Sequence, residues 1–248
     1  MIKNYFKTTF RNLIKHKGYS FINITGLALG IACCLLIILY VKDELTFDRF
    51  HKNGENIYRM QSALLMNDNK QVFNAVGLPT GPTMVDELPE VMNQVRYMNA
   101  VLEVRIGEKE HNEGNAYYAE PQFLEIFNFP SSEGDGLTAL GSGQEVALTE
   151  ESAIRYFGKT DVIGEAMELK VNGQWKSLNV GAVLRDVPSN STLNFNMLVP
   201  FEVYLKANNR QSNNAQDWQR LEIGFQVYLK RHQHVKVQCG ITRHISQL

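Results

Sequence analysis

Hydrophobic and polar positions divide this chain sharply. Residues 21–41, FINITGLALGIACCLLIILYV, carry no charge and include twelve Leu, Ile, Val or Phe. A helix rises about 1.5 Å per residue, so the run reaches roughly 30 Å, the thickness of a bilayer's hydrocarbon core. Insertion gains of roughly 0.3–0.6 kcal/mol for each such residue outweigh Asn23, which lies near the end of the run. The pattern predicts one membrane-spanning helix. Ala28-Leu29-Gly30 and Gly30-Ile31-Ala32 offer the small residues of a signal-peptide cleavage site. The most apolar stretch, Leu35 to Val41, comes after them, and the run exceeds a signal peptide's core in length, which argues for an uncleaved anchor.

The segment before the anchor reads as an amphipathic helix. Ile2, Phe6, Phe10, Leu13 and Ile14 share one face, and Lys3, Lys7, Arg11 and Lys15 share the other. Such a helix lies in the headgroup layer with its cations toward anionic lipid; a plain topology signal without ordered structure is the alternative. No acidic residue precedes the anchor, whereas Asp43 and Glu44 follow it at once, so the positive-inside rule keeps the N-terminus cytoplasmic and the rest outside. Within the anchor, Gly26 and Gly30 form a GxxxG pair and Ala28 with Ala32 continues the small residues, a pattern that lets helix backbones approach closely in lipid. Gly26, Gly30 and Ala32 are the candidate packing residues, and Lys3, Lys7 and Arg11 the candidate inner-leaflet contacts. No other apolar run of spanning length occurs, so a partner helix would come from another copy, another subunit or a missing part of the same protein.

Beyond the anchor the period changes. Ile57 to Met66 reads as a strand, Asn67-Asp68-Asn69 as a turn and Gln71 to Val76 as the hairpin partner. Pro79 to Leu88 reads as a helix closed by Pro89, Val91 to Ile106 as one long strand or two shorter ones, and Ala116 to Ala119 as another strand. Pro121 to Phe127 is a short helix burying Phe123, Leu124 and Phe127, and the Gly-rich stretch Gly134 to Gly143 reads as a loop. Glu145 to Leu148 forms a strand, Thr149 an N-cap, and Glu150 to Phe157 a helix stopped by Gly158. A strand over Leu178 to Leu184, a polar turn over Asp186 to Ser191 and a final strand over Leu193 to Phe201 complete the reading. Irregular mixing of helices, strands and hairpins predicts an α+β fold rather than a doubly wound parallel sheet.

Charge and chemistry narrow the function. All 26 acidic residues but only 20 of the 25 basic ones lie beyond Val41, giving that part a formal charge of −6 and no basic face for nucleic acid. Cys33 and Cys34 are neighbours inside the anchor and Cys239 stands alone, so the outer domain has no disulfide staple and is held by burial. Ala153 to Thr160 satisfies a loose phosphate-loop expression, but bulky Ile, Arg, Tyr and Phe fill it and its Gly ends a helix instead of opening one. HExxH, paired CxxC, GxSxG and dinucleotide fingerprints are missing, and His232 with His234 has no nearby carboxylate or thiol to complete a metal site. The expectation is a protein without catalytic, cofactor or metal residues.

Several segments together resemble a family. The opening MIKNYFKTTFRNLIKHKGYSFINITGLALGIACCLLIILYVKDELTFDRFHKNGENIYRM, the segment Phe123 to Phe129, Ala147 to Ala153, Tyr156-Phe157-Gly158, Ile163-Gly164 and Asp186 to Ser191 are similar to FtsX/MacB-type ABC transporter permeases of Bacteroidetes-like bacteria, over residues 1 to about 229. The resemblance implies a cytoplasmic segment (1–20), a transmembrane helix (21–41) and a two-lobed α+β periplasmic core domain (42–230). The lobe inserted over about 101–191 would interrupt a membrane-proximal one. It also implies a cytoplasmic ABC ATPase partner, a homo- or heterodimer with another permease copy, contact with membrane lipid, and three further membrane helices. The tail 231–248 loses the family's character and those helices do not arrive, so a truncated or frameshifted product is expected. The function so implied is a non-enzymatic permease subunit of the bacterial inner membrane that transmits ATP-driven motion to the periplasm. The alternative is a single-pass anchored binding or scaffold protein that needs no ATPase.

Overall fold

The computed structural model describes residues 11, 14–51, 54–66, 69–74, 76–210 and 225–231. It divides into two units, Met1–Phe47 and Asp48–Leu248. In the first, helix α1 (Lys17–Thr46) is uninterrupted and buries none of its residues, as an apolar segment written for lipid rather than for a protein core requires.

The second unit is a nine-stranded mixed sheet with short helices on it. Its strands are β1 (Ile57–Arg59), β4 (Val91–Ile106), β5 (Lys109–Ala119), β6 (Ser131–Gly134), β7 (Glu145–Thr149), β8 (Ala166–Val171), β9 (Gln174–Leu184), β10 (Met197–Pro200) and β11 (Phe225–Arg231); β2 (Ser62–Met66) and β3 (Asn69–Phe73) form a separate hairpin. The strand order is β1-β11-β4-β5-β10-β7-β9-β6, and β8 pairs with both β4 and β9. That last pairing closes β4, β5, β10, β7, β9 and β8 into a ring. β4 runs unbroken across Val101, the expected edge of an inserted lobe, with only a register shift between Ala100 and Leu102.

Period-two alternation gives each ring strand an inner and an outer set of side chains. Val104, Tyr118, Val146, Leu148, Leu169, Val180 and Val199 belong to one buried cluster, which fills the ring. Tyr97, Tyr117, Ala147, Ala182 and Leu198 belong to the other, on the outer face, where helices α3 (Gln122–Phe127) and α4 (Gly136–Ser142) cover them. Small residues set how closely α4 approaches. A Cβ added at Gly181 would stand 2.6 Å from that of Ala139 and 2.8 Å from that of Glu145. Gly181→Ala is therefore expected to lower stability by about 1–3 kcal/mol through overpacking, read as a fall in the denaturant midpoint at unchanged m-value.

The helix and hairpin readings hold in outline: α2 (Thr80–Glu87), α3 and α5 (Glu150–Phe157) stand where the pattern put them, Thr149 accepts from the Ser152 N–H, and Gly158 closes α5 at φ +74. The loose phosphate-loop expression falls on this helix end. Four readings need correction. Ile57 to Met66 is not one strand: β1 pairs with β11 in the large sheet, and the chain leaves that sheet at residues 60–61 before β2 begins the separate hairpin. Gly134 to Gly143 is not a loop, because Asp135 caps α4 by accepting from the Leu137 N–H and Gly143 ends it in the left-handed region. Leu193 to Phe201 is not one strand: only β10 lies in it, and α6 (Phe201–Ala207) starts where Pro200 offers no N–H to extend the ladder. Nor is it the last strand, since β11 inserts between β1 and β4.

Candidate functional site

The chain enters the second unit at Asp48, and it is held there by its side chain. Asp48 is buried and lies at φ +53, a left-handed conformation that Asp tolerates better than most residues. One carboxylate oxygen accepts from the Thr192 N–H at 2.9 Å and the other from the Thr192 hydroxyl at 2.7 Å, while the Asp48 N–H donates to the Asn190 carbonyl at 2.9 Å. These three bonds form a clasp between residues 144 positions apart.

The polar turn Asp186 to Ser191 supplies the other jaw. The Ser191 N–H donates to the Pro188 carbonyl and its hydroxyl to the Leu193 carbonyl, which fixes the backbone that presents Thr192. Asp186 accepts from the Glu151 N–H at 2.9 Å, in the first turn of α5, where a carboxylate suits the helix dipole. The turn thus joins the chain's point of arrival to α5.

His51 backs the clasp. Its Nδ1 donates to the Phe127 carbonyl at 2.6 Å, and its Nε2 faces Asp48 Oδ1 at 3.9 Å with no hydrogen-bond partner among the described residues. A carbonyl can only accept, so Nδ1 carries the proton and neutral Nε2 presents a lone pair to a carboxylate. The rings of Phe50, Phe127 and Phe129 surround the imidazole at 4.0, 5.6 and 5.7 Å between centroids. Burial pushes the His51 pKa down, against the Phe127 hydrogen bond and the Asp48 charge, which both act to raise it.

Thr192 continues into a second polar centre. The stretch after it buries Leu193 and Phe195 in the aromatic cluster of the outer face, and Asn196 then bonds to Glu113. Glu113 is buried and accepts from the Tyr156 hydroxyl at 2.6 Å, the Arg155 guanidinium at 2.9 Å, the Asn115 N–H at 2.9 Å and the Asn196 amide at 3.0 Å. Burial alone would raise this carboxyl's pKa; the hydrogen bonds from Tyr156, Asn115 and Asn196, with the Arg155 charge, outweigh it and hold the group below its ordinary value. Four donors converge on this one buried carboxylate, an arrangement that suits a rigid support.

The residues proposed from sequence lie elsewhere. Gly26 and Gly30 are on α1 with open space where a Cβ would stand, and Ala32 is exposed on the same helix. Gly26 and Gly30 share a face; Ala28 and Ala32 fall about 200° around from them, on the far side of the helix. Arg11 is helical and exposed, and Lys3 and Lys7 lie outside the described residues. Asp48, His51 and Thr192 escaped the sequence reading. The signal available for them was TFDRFH directly after the anchor, an acid and a histidine among aromatics, together with Thr192 after the polar turn. Among the described residues no group of three or more His, Cys, Asp or Glu could hold a metal ion.

An α+β domain behind an apolar N-terminal helix is the class that this fold defines, and a family match gives it a place. Residues 20–237 match the MacB-like periplasmic core domain, and the chain belongs to that family. The match passes the Lys230 at which the motif resemblance ends, consistent with β11 being part of the sheet. Among solved structures, a domain of a putative permease protein from Porphyromonas gingivalis shares the fold with a TM-score of 0.59 at 19% identity, covering 75% of this chain and 79% of that one. The periplasmic region of MacB from Actinobacillus actinomycetemcomitans aligns with a TM-score of 0.52 at 15% identity, covering 76% and 80%. No curated protein matches the sequence.

Proposed function

We propose that the chain is a non-enzymatic permease component of an ABC-type transporter, and that its periplasmic domain is displaced by a cytoplasmic ATPase partner through the N-terminal helix. The observation that carries this reading is the family match over residues 20–237, which takes in helix and domain together. The clasp supports it physically. Force arriving along the chain at Asp48 passes into three short hydrogen bonds and a buried aromatic cluster, and not into a slack linker, as rigid-body transmission requires. In this reading α1 spans the inner membrane with its N-terminus cytoplasmic. Gly26 and Gly30 pack against a helix of a second permease copy, and Lys3, Lys7 and Arg11 meet anionic lipid.

Protease added to intact spheroplasts is expected to digest the residues beyond Asp48 and spare the N-terminus, and an ABC ATPase is expected to co-purify from solubilised membranes. ATP added to that complex should change cysteine crosslinking between the outer domains of the two permease copies. An intact outer domain under protease, or a stable anchored protein that retains a periplasmic ligand and never an ATPase, would overturn the reading in favour of a free-standing binding module.

A further inference from the structure

The clasp contains a group that its present bonding leaves unused. Buried polar atoms are almost always paired, so a buried imidazole nitrogen without a partner among the described residues, 3.9 Å from a carboxylate, needs a reason. We infer that His51 makes the clasp proton-sensitive: acidification outside the membrane loosens the hold of residues 48–51 on the turn at residues 190–192. The inference concerns the clasp alone and stands whether or not an ATPase drives the domain.

The argument is one of competing partners. Both Asp48 oxygens are already engaged by Thr192. A proton added at Nε2 creates a donor aimed at Asp48 Oδ1, the oxygen that accepts the Thr192 N–H. At 3.9 Å the added N–H is too far from Asp48 to hydrogen-bond, so the imidazolium either draws the carboxylate out of line with the Thr192 N–H or leaves its apolar surroundings for water and carries the backbone of residues 48–51 with it. The surroundings offer the cation little else. α3 contributes the Phe127 carbonyl and ring, Phe50 and Phe129 contribute rings, and Tyr228 of β11 interacts with both Asp48 and a further cation, Arg59 of β1. Burying a charge under such conditions is unfavourable. With the His51 pKa lowered by folding, the unfolded chain binds the proton more readily, so the stabilisation is complete above the ordinary imidazole range, near pH 6.5, and is lost as pH falls from there toward the folded value.

Amide hydrogen exchange of the full chain in nanodiscs, followed by mass spectrometry and corrected for the intrinsic pH dependence of exchange, tests this. Between pH 8 and about pH 5.5, spanning the ordinary histidine range, peptides carrying the Asp48 and Thr192 amides should lose protection severalfold, while β7 and β9 stay protected. His51→Gln, which keeps an amide donor for the Phe127 carbonyl but cannot take up a proton, should abolish that loss. Exchange of the imidazole C2 hydrogen in the unsubstituted protein gives the His51 titration midpoint without any variant, and amide protection should fall in the interval between pH 6.5 and that midpoint. Protection independent of pH, an equal loss in His51→Gln, or a loss confined to pH values outside that interval would each overturn the inference.

Discussion

Glu113→Ala is expected to lower the unfolding free energy by about 4 kcal/mol, the cost of removing one side of a buried, charge-assisted network. The substitution strips the acceptor from the Tyr156 hydroxyl, the Asn115 N–H and the Asn196 amide at once. Arg155, whose side chain is 41% exposed, turns to water, so its share of the loss is the smallest. Glu113→Gln keeps one acceptor oxygen and should cost about half as much. The acid limb separates the two roles of the carboxylate. Because folding lowers the Glu113 pKa, its stabilisation is complete above the ordinary carboxylate range and lost as pH falls through the folded value. Denaturant unfolding of the solubilised chain at several pH values below 5 should therefore show a shallower pH slope in Glu113→Gln than in the unsubstituted protein. An unchanged slope would mean that other carboxylates set the acid limb.

Asp48→Ala is the second large effect, about 2 kcal/mol, because the Thr192 N–H and hydroxyl lose a charged acceptor at a part-buried site and a residue with a Cβ still occupies the left-handed region. Asp48→Gly removes the same acceptors but relaxes the backbone at φ +53, and should recover about 1 kcal/mol of that loss. The ordering Asp48→Asn, then Asp48→Gly, then Asp48→Ala in falling stability tests the geometry directly, since an Asn retains one acceptor and also tolerates the left-handed region. A clasp without structural weight would leave all three variants within about 0.5 kcal/mol of one another, as surface changes do. Under the proposed function, Asp48→Ala should also weaken any ATP-dependent crosslinking change while the ATPase still co-purifies.

The two sites share the segment from Thr192 to Asn196, and that segment has no regular structure. Its backbone bonds go to neighbours on both sides: the Asn194 N–H to the Tyr117 hydroxyl at 3.2 Å, the Asn196 N–H to the Asn115 carbonyl at 2.7 Å, and the Thr149 N–H to the Asn196 carbonyl at 3.0 Å. An irregular stretch so fully bonded behaves as a strut. It ties the turn beside Asp48 to β5 and, through Thr149, to the start of α5.

Local rules legible in the chain settled a good part of this protein. The apolar run of residues 21–41 makes one helix long and apolar enough to cross a membrane, a property of length and composition that neighbours in sequence carry by themselves. The unit Glu145 to Gly158 was readable to the residue, since an N-cap, a helix of period 3.6 and a left-handed glycine are signals carried by neighbours. What the tertiary structure decided are the matters that depend on distant partners. The run MLVPFEVYL is apolar enough for either a strand or a helix, and only the end of the ladder at Pro200 splits it into β10 and α6. β11 becomes a strand by filling the place between β1 and β4. Asp48 and His51 look like ordinary surface polar residues in TFDRFH, and a clasp closing across 144 positions leaves no periodicity in the sequence, because a hydrogen bond between distant segments depends on the fold that brings them together.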